Sequence, residues 1–81
     1  MTRRPYIAGN WKMHKTVAEA RTYVADLLPL LEDTAGVDVG VCVPFTALAA
    51  TVEARADSRV LVTAQTMHQA DSGAFTGEVS A

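Results

Sequence analysis

The sequence predicts an α/β fold of three parallel strands and two helices, in the order β-α-β-α-β. Three observations carry this reading. Short apolar, β-branched segments recur at Tyr6 to Ala8, Val37 to Val43 and Arg59 to Ala64. None alternates cleanly between apolar and polar residues, which is the habit of strands covered on both faces of a parallel sheet. Helix-patterned stretches separate them, and right-handed helical crossovers are the expected way to join parallel strands.

The first strand is brief and runs into a polar loop at Gly9 and Asn10. Thr16 and Glu19 then mark a helix start, because their Thr-x-x-Glu spacing is that of a capping box. Val17, Ala20, Val24, Leu27, Leu28 and Leu31 fall on one stripe at helical spacing, the pattern of a packing face. Pro29 is expected to interrupt the last turn, and Gly36 to serve the exit. Cys42 lies inside the second apolar run, where a lone thiol is expected to be buried. The second helix is expected from about Thr46 to Ala56, with Pro44 just ahead and Leu48 and Val52 sharing a face with alanines. After the third strand, Glu78 and Ser80 read as the approach to a further helix. No linker, low-complexity tract or second domain interrupts the chain.

Composition narrows the function. Eighty-one residues suit one small domain, 49% apolar content is ordinary, and 20% charged residues argue against disorder. A net charge of -2 offers no basic patch for nucleic acid and no polybasic membrane anchor. One cysteine excludes an internal disulfide framework. With only His14 and His68 beside it, there is no metal-ligand spacing, and no metal is expected. No run approaches the ~18 apolar residues of a membrane span. The basic start Met1-Thr2-Arg3-Arg4-Pro5 is followed by too few apolar residues for a signal peptide. A cytoplasmic location is the expectation.

Two motifs carry the chemistry. Gly9-Asn10-Trp11-Lys12-Met13-His14-Lys15-Thr16 follows the first strand. Ala64-Gln65-Thr66-Met67-His68 leads into Asp71-Ser72-Gly73-Ala74-Phe75-Thr76-Gly77-Glu78-Val79-Ser80-Ala81. In this order and spacing they resemble the N-terminal third of the triosephosphate isomerases, and the resemblance covers essentially the whole chain. It implies a partial (β/α)8 barrel, since a full one needs about 250 residues. Residues 1–81 are then one incomplete domain. The implied reaction interconverts dihydroxyacetone phosphate and glyceraldehyde 3-phosphate, in glycolysis and gluconeogenesis, with no metal or organic cofactor.

Moving a proton between adjacent carbons through an enediolate needs a base, an electrophile for the oxyanion and an anchor for the phosphate. The resemblance implies a histidine and a glutamate for the first two, after the fourth and sixth strands. It places Asn10, Trp11 and Lys12 at the substrate, with Lys12 as the catalytic positive charge. Trp11 is also expected to hold the loop by packing. A compact ammonium is not interchangeable with a guanidinium fork there. The segment from Gly73 to Glu78 resembles the family's dimerisation loop, which implies interface roles for Gln65, Phe75, Thr76 and Glu78, Thr76 reaching toward the neighbour's Asn10. His14 and His68 resemble positions that line or support loops.

Three parallel strands with two helices leave one sheet face and both edges open, and such edges are templates for further pairing. Association is therefore expected. Either a complementary C-terminal chain completes the barrel, giving an isomerase from two pieces in which this chain alone is inactive, or copies of this chain cover one another as a non-catalytic module.

Overall fold

The computed structural model describes residues 3–81; Met1 and Thr2, part of the basic start, lie outside the described residues. The chain forms β1 (Tyr6–Asn10), α1 (Val17–Leu30), β2 (Asp38–Val43), a 3-10 turn (Phe45–Ala47), α2 (Leu48–Ala54) and β3 (Leu61–Ala64). The strands are parallel in the order β1-β2-β3. The predicted α/β alternation is therefore the architecture.

Element boundaries shift for identifiable reasons. β1 runs two residues past Ala8, because Gly9 and Asn10 still pair with Val41 and Cys42. β2 begins one residue after Val37, whose N–H closes a turn on Thr34. β3 begins two residues after Arg59, because the Arg55 guanidinium takes the Val60 carbonyl at 2.6 Å and the Ser58 carbonyl at 2.8 Å. The second helix is shorter than expected. Its start tightens into a 3-10 turn in which Ala47 donates to Pro44, and Arg55 ends it.

The capping box at α1 is complete. Glu19 N–H donates to the Thr16 hydroxyl at 3.2 Å, and Thr16 N–H donates to the Glu19 carboxylate at 2.9 Å. These bonds, the backbone one foremost, hold the Glu19 carboxyl below the ordinary carboxylate range. Pro29 sits inside the last turn, and the helix carries on for one residue beyond it. Gly36 does not make the exit. Consecutive turns do so instead, Thr34 N–H donating to Leu31 and Val37 N–H to Thr34, and Gly36 keeps an ordinary φ.

The core sits between the helices and one face of β2. Val41, Val43, Ala20, Ala47 and Val60 are buried there with Trp11, while Leu27, Leu28, Leu31 and Leu48 pack at its margin. Two expected packing residues turn outward. Val17 is 41% exposed at the first turn of α1, and Val52 is 52% exposed because burial in α2 follows Ala47, Ala50 and Thr51, an i, i+3, i+4 set.

The other sheet face carries Tyr6, Ala8 and Asn10 beside Gly40 and Cys42, then Leu61 and Thr63, as the register requires. No helix covers it. Tyr6 is half exposed and its ring lies against Gly40, where a Cβ would strike the phenol. Cys42 is only half buried, contrary to expectation, because strand alternation turns it away from Val41 and Val43. Its sulfur accepts the Thr63 hydroxyl at 3.1 Å. Among the described residues, no helix is long and apolar enough to cross a membrane. None of their His, Cys, Asp and Glu side chains cluster in threes as a metal site would need.

Candidate functional site

The C-terminal ends of the three strands converge on the segment from Asn10 to Lys15. Asn10 is the last residue of β1, and its side-chain oxygen accepts Lys12 N–H at 2.9 Å. That short local bond is the reason an asparagine suits a strand-to-loop turn. Trp11 fixes the next position. Its backbone N–H donates to the Cys42 carbonyl at 3.0 Å, and the residue is 7% exposed in the core. The ring meets Tyr23 of α1 edge-on, with centroids 5.1 Å apart. Trp11, expected among the substrate contacts, thus presents its ring to the core and to α1.

Lys12 carries a φ of 57°, the left-handed region that a residue with a side chain rarely adopts. Such a conformation costs roughly 1–2 kcal/mol and persists where its surroundings over-determine it. Two side chains do so here. Asn10 holds the Lys12 N–H, and the Gln65 amide just after β3 donates to the Lys12 carbonyl at 2.9 Å and to the Cys42 carbonyl at 3.1 Å. Lys12 is therefore held at its N–H by Asn10 of β1 and at its carbonyl by Gln65 just after β3, while Cys42 of β2 holds the Trp11 N–H before it. The Lys12 side chain is left exposed, and Met13 beyond it is 97% exposed.

The segment's far end is closed by His14 N–H, which donates to the Trp11 carbonyl at 3.1 Å, and by Lys15 at a φ of 80°. The Lys15 ammonium lies 4.8 Å from the Tyr23 ring centre and 5.6 Å from that of Trp11, within range of a cation–π contact with each. Nothing in the sequence patterning pointed to Tyr23 or to this clamp. Tyr23 falls outside the apolar stripe of α1, so only the fold reveals what it touches.

The expected site residues fall into two groups. Asn10, Trp11, Lys12 and Gln65 are brought together, Gln65 by its own hydrogen bonds to the Lys12 loop. Phe75, Thr76 and Glu78 lie apart in the exposed loop after β3. There Phe75 stacks on His68 at 4.0 Å between ring centres, and Glu78 N–H donates to the Phe75 carbonyl at 3.0 Å. No hydrogen bond among the described residues links these three to Asn10 or Lys12. His14 is exposed, and His68 is half buried.

Comparison with known proteins bears on the family and the fold. The family model described as triosephosphate isomerase matches residues 5–81. The triosephosphate isomerases of Carboxydothermus hydrogenoformans and Moorella thermoacetica are 54% and 58% identical over 78 residues, which cover 96% of this chain and 31% of each relative. The crystal structure of triosephosphate isomerase from Bartonella henselae superimposes with a TM-score of 0.84 at 30% identity, covering 95% of this chain and 31% of that one. The chain thus spans about a third of the length of the relatives it matches, and the three open-faced strands are the start of their barrel. On its sequence and its fold, the chain belongs to the triosephosphate isomerase family and corresponds to that family's N-terminal third.

Proposed function

We propose that this chain supplies the first active-site loop of a triosephosphate isomerase, with Lys12 as its catalytic cation and Asn10 beside it. A complementary C-terminal chain supplies the remaining strands, the acid–base pair and the phosphate loops. Dihydroxyacetone phosphate and glyceraldehyde 3-phosphate are then interconverted in the cytoplasm, as a step of glycolysis and gluconeogenesis. The single observation that carries this reading is the Lys12 peptide, held in a left-handed conformation by Asn10 and Gln65.

The physical argument is electrostatic. Negative charge grows on the substrate oxygen as the enediolate forms, and a positive charge already in place stabilises it without reorganisation. At 4 Å and an effective dielectric near 20, the attraction is about 4 kcal/mol before desolvation. Fixing the Lys12 backbone limits where its ammonium can travel, so less orientation is lost at the moment of reaction. Asn10 works through its oxygen on the Lys12 N–H, which leaves its amide N–H2 free to face substrate. Trp11 acts by packing, which keeps the whole loop in register with β2.

A base and an oxyanion electrophile must come from elsewhere in the barrel, so the chain by itself is inactive in this account. The uncovered sheet face, with Tyr6 51% and Leu61 45% exposed, is the surface that the remaining strands would cover. The same exposed surface favours a second reading, in which copies of this chain associate through it without turnover.

Substitution of Lys12 in the assembled enzyme tests the proposal. Lys12→Ala should lower kcat/KM by about a thousandfold, the factor that 4 kcal/mol represents. Lys12→Arg should recover little of it, because the guanidinium fork keeps the charge but not the shape. An assembly that turns over equally well with Lys12→Ala would end the proposal.

A further inference from the structure

The loop after β3 is built almost wholly from itself. Residues 71–81 are exposed throughout, and the loop closes on one residue, His68, through its backbone and its ring. Its backbone N–H donates to the Val79 carbonyl at 2.7 Å, which ties the two ends of the loop together. Its ring stacks on Phe75 with planes inclined by 24°. Its Nδ1 accepts the Ala70 N–H at 3.0 Å. Phe75 in turn lies over Gly73, whose φ of 151° and close approach to the ring leave no room for a Cβ.

The third of these contacts has a protonation state written into it. A nitrogen that accepts an N–H bond bears no proton, so the closed loop holds a neutral imidazole with its proton on Nε2. We propose that His68 is a proton-controlled pin: the loop of residues 68–80 is closed while the imidazole is neutral and opens when Nδ1 takes up a proton.

The surroundings push in the same direction. In the imidazolium both ring nitrogens are donors, so no flip of the ring restores an acceptor for Ala70 N–H. A cavity of about 300 Å³ lies beside the ring, and Asp71 and Glu78 are the charged side chains that line it. Every residue lining that cavity belongs to the loop, and no strand or helix contributes a charge to it. A carboxylate there offers the imidazolium the partner that Ala70 N–H no longer is, and draws the ring off its closed position. The sign is fixed by the geometry: closure is present at the basic end and is lost as pH falls.

One consequence rests on the functional reading above. Phe75, Thr76 and Glu78 are the loop residues assigned to contacts with a neighbouring chain, and an open loop no longer presents them together. Association through this loop should weaken as the solution is acidified.

The test is NMR on the full chain at pH 8 and pH 5, with exposed His14 as the internal reference. The expected result is a His68 ring protonated at Nε2 alone at pH 8. Ala70 N–H should then be protected from exchange, relative to its intrinsic rate, about fivefold or more better at pH 8 than at pH 5. His68→Asn places an oxygen where Nδ1 stood and should keep Ala70 protected at both values. His68→Phe keeps a stacking ring without an acceptor and should leave Ala70 unprotected at both. A proton on Nδ1 at pH 8, or equal protection at the two values in the wild type, overturns the proposal. Sedimentation of the same samples separates the consequence from its cause. If protection falls with pH while association stays constant, the pin stands and the interface role of this loop is refuted.

Discussion

The loop after β1 and the loop after β3 start from the same end of the sheet and are stabilised in opposite ways. The first is held from outside itself: Trp11 is sunk in the core, and Asn10 of β1 and Gln65 just after β3 hold the Lys12 backbone. The second is held by its own residues, His68 on Ala70, Val79 and Phe75, above a small cavity. On the proposed function, the contrast separates two tasks. A charge that must meet a transition state needs a backbone that the rest of the fold over-determines. A surface proposed to meet a neighbour can be closed by the contacts of one local residue and can therefore be opened through it.

That contrast can be broken most forcefully at Trp11. Trp11→Ala removes a buried ring from the core and should destabilise the chain by about 3–5 kcal/mol, read from denaturant midpoints. The loop after β3 should lose nothing beyond what global unfolding takes, because none of its contacts reaches the indole. Gln65→Ala comes next. It removes both amide hydrogen bonds and should cost about 1 kcal/mol of stability. Its sharper signature is a loosened Lys12 amide, visible by hydrogen exchange. Thr16→Ala, at the start of α1, should cost a comparable ~1 kcal/mol by removing the cap, with the loss confined to the helix end.

The smallest effect is a pH dependence. The capping bonds to Thr16 hold the folded Glu19 carboxyl below its ordinary range, so their contribution is present above that range. It is lost as pH falls through the depressed folded value. The first turn of α1 should therefore fray in acid, and Glu19→Gln should flatten that dependence in a far-UV titration. The pH response proposed for His68 lies in the loop after β3, away from α1, so the two are separable in one experiment.

Much of this was legible in the residues. The apolar segments located all three strands, and Thr16 with Glu19 located the start of α1, because strand burial and helix capping leave local marks. Register-dependent features did not. Cys42 lies on the uncovered face because β2 alternates, and nothing inside the run Val39 to Val43 says which face a helix will cover. Val52 points outward because a 3-10 turn precedes α2 and the buried set becomes Ala47, Ala50 and Thr51. In the candidate site, Asn10 and Lys12 stood out through their motif, whereas the left-handed Lys12 backbone gave no sign, since lysine has no preference for it. Gln65 and Tyr23 reach the loop only through pairings distant in sequence, which no local pattern encodes.

The most direct test of the account is isomerase activity of this chain titrated with a C-terminal chain beginning at the family's fourth strand. The account predicts no turnover from either piece alone and activity on mixing that saturates at a fixed ratio. Two pieces that remain soluble together and never turn over the triose phosphate would contradict it.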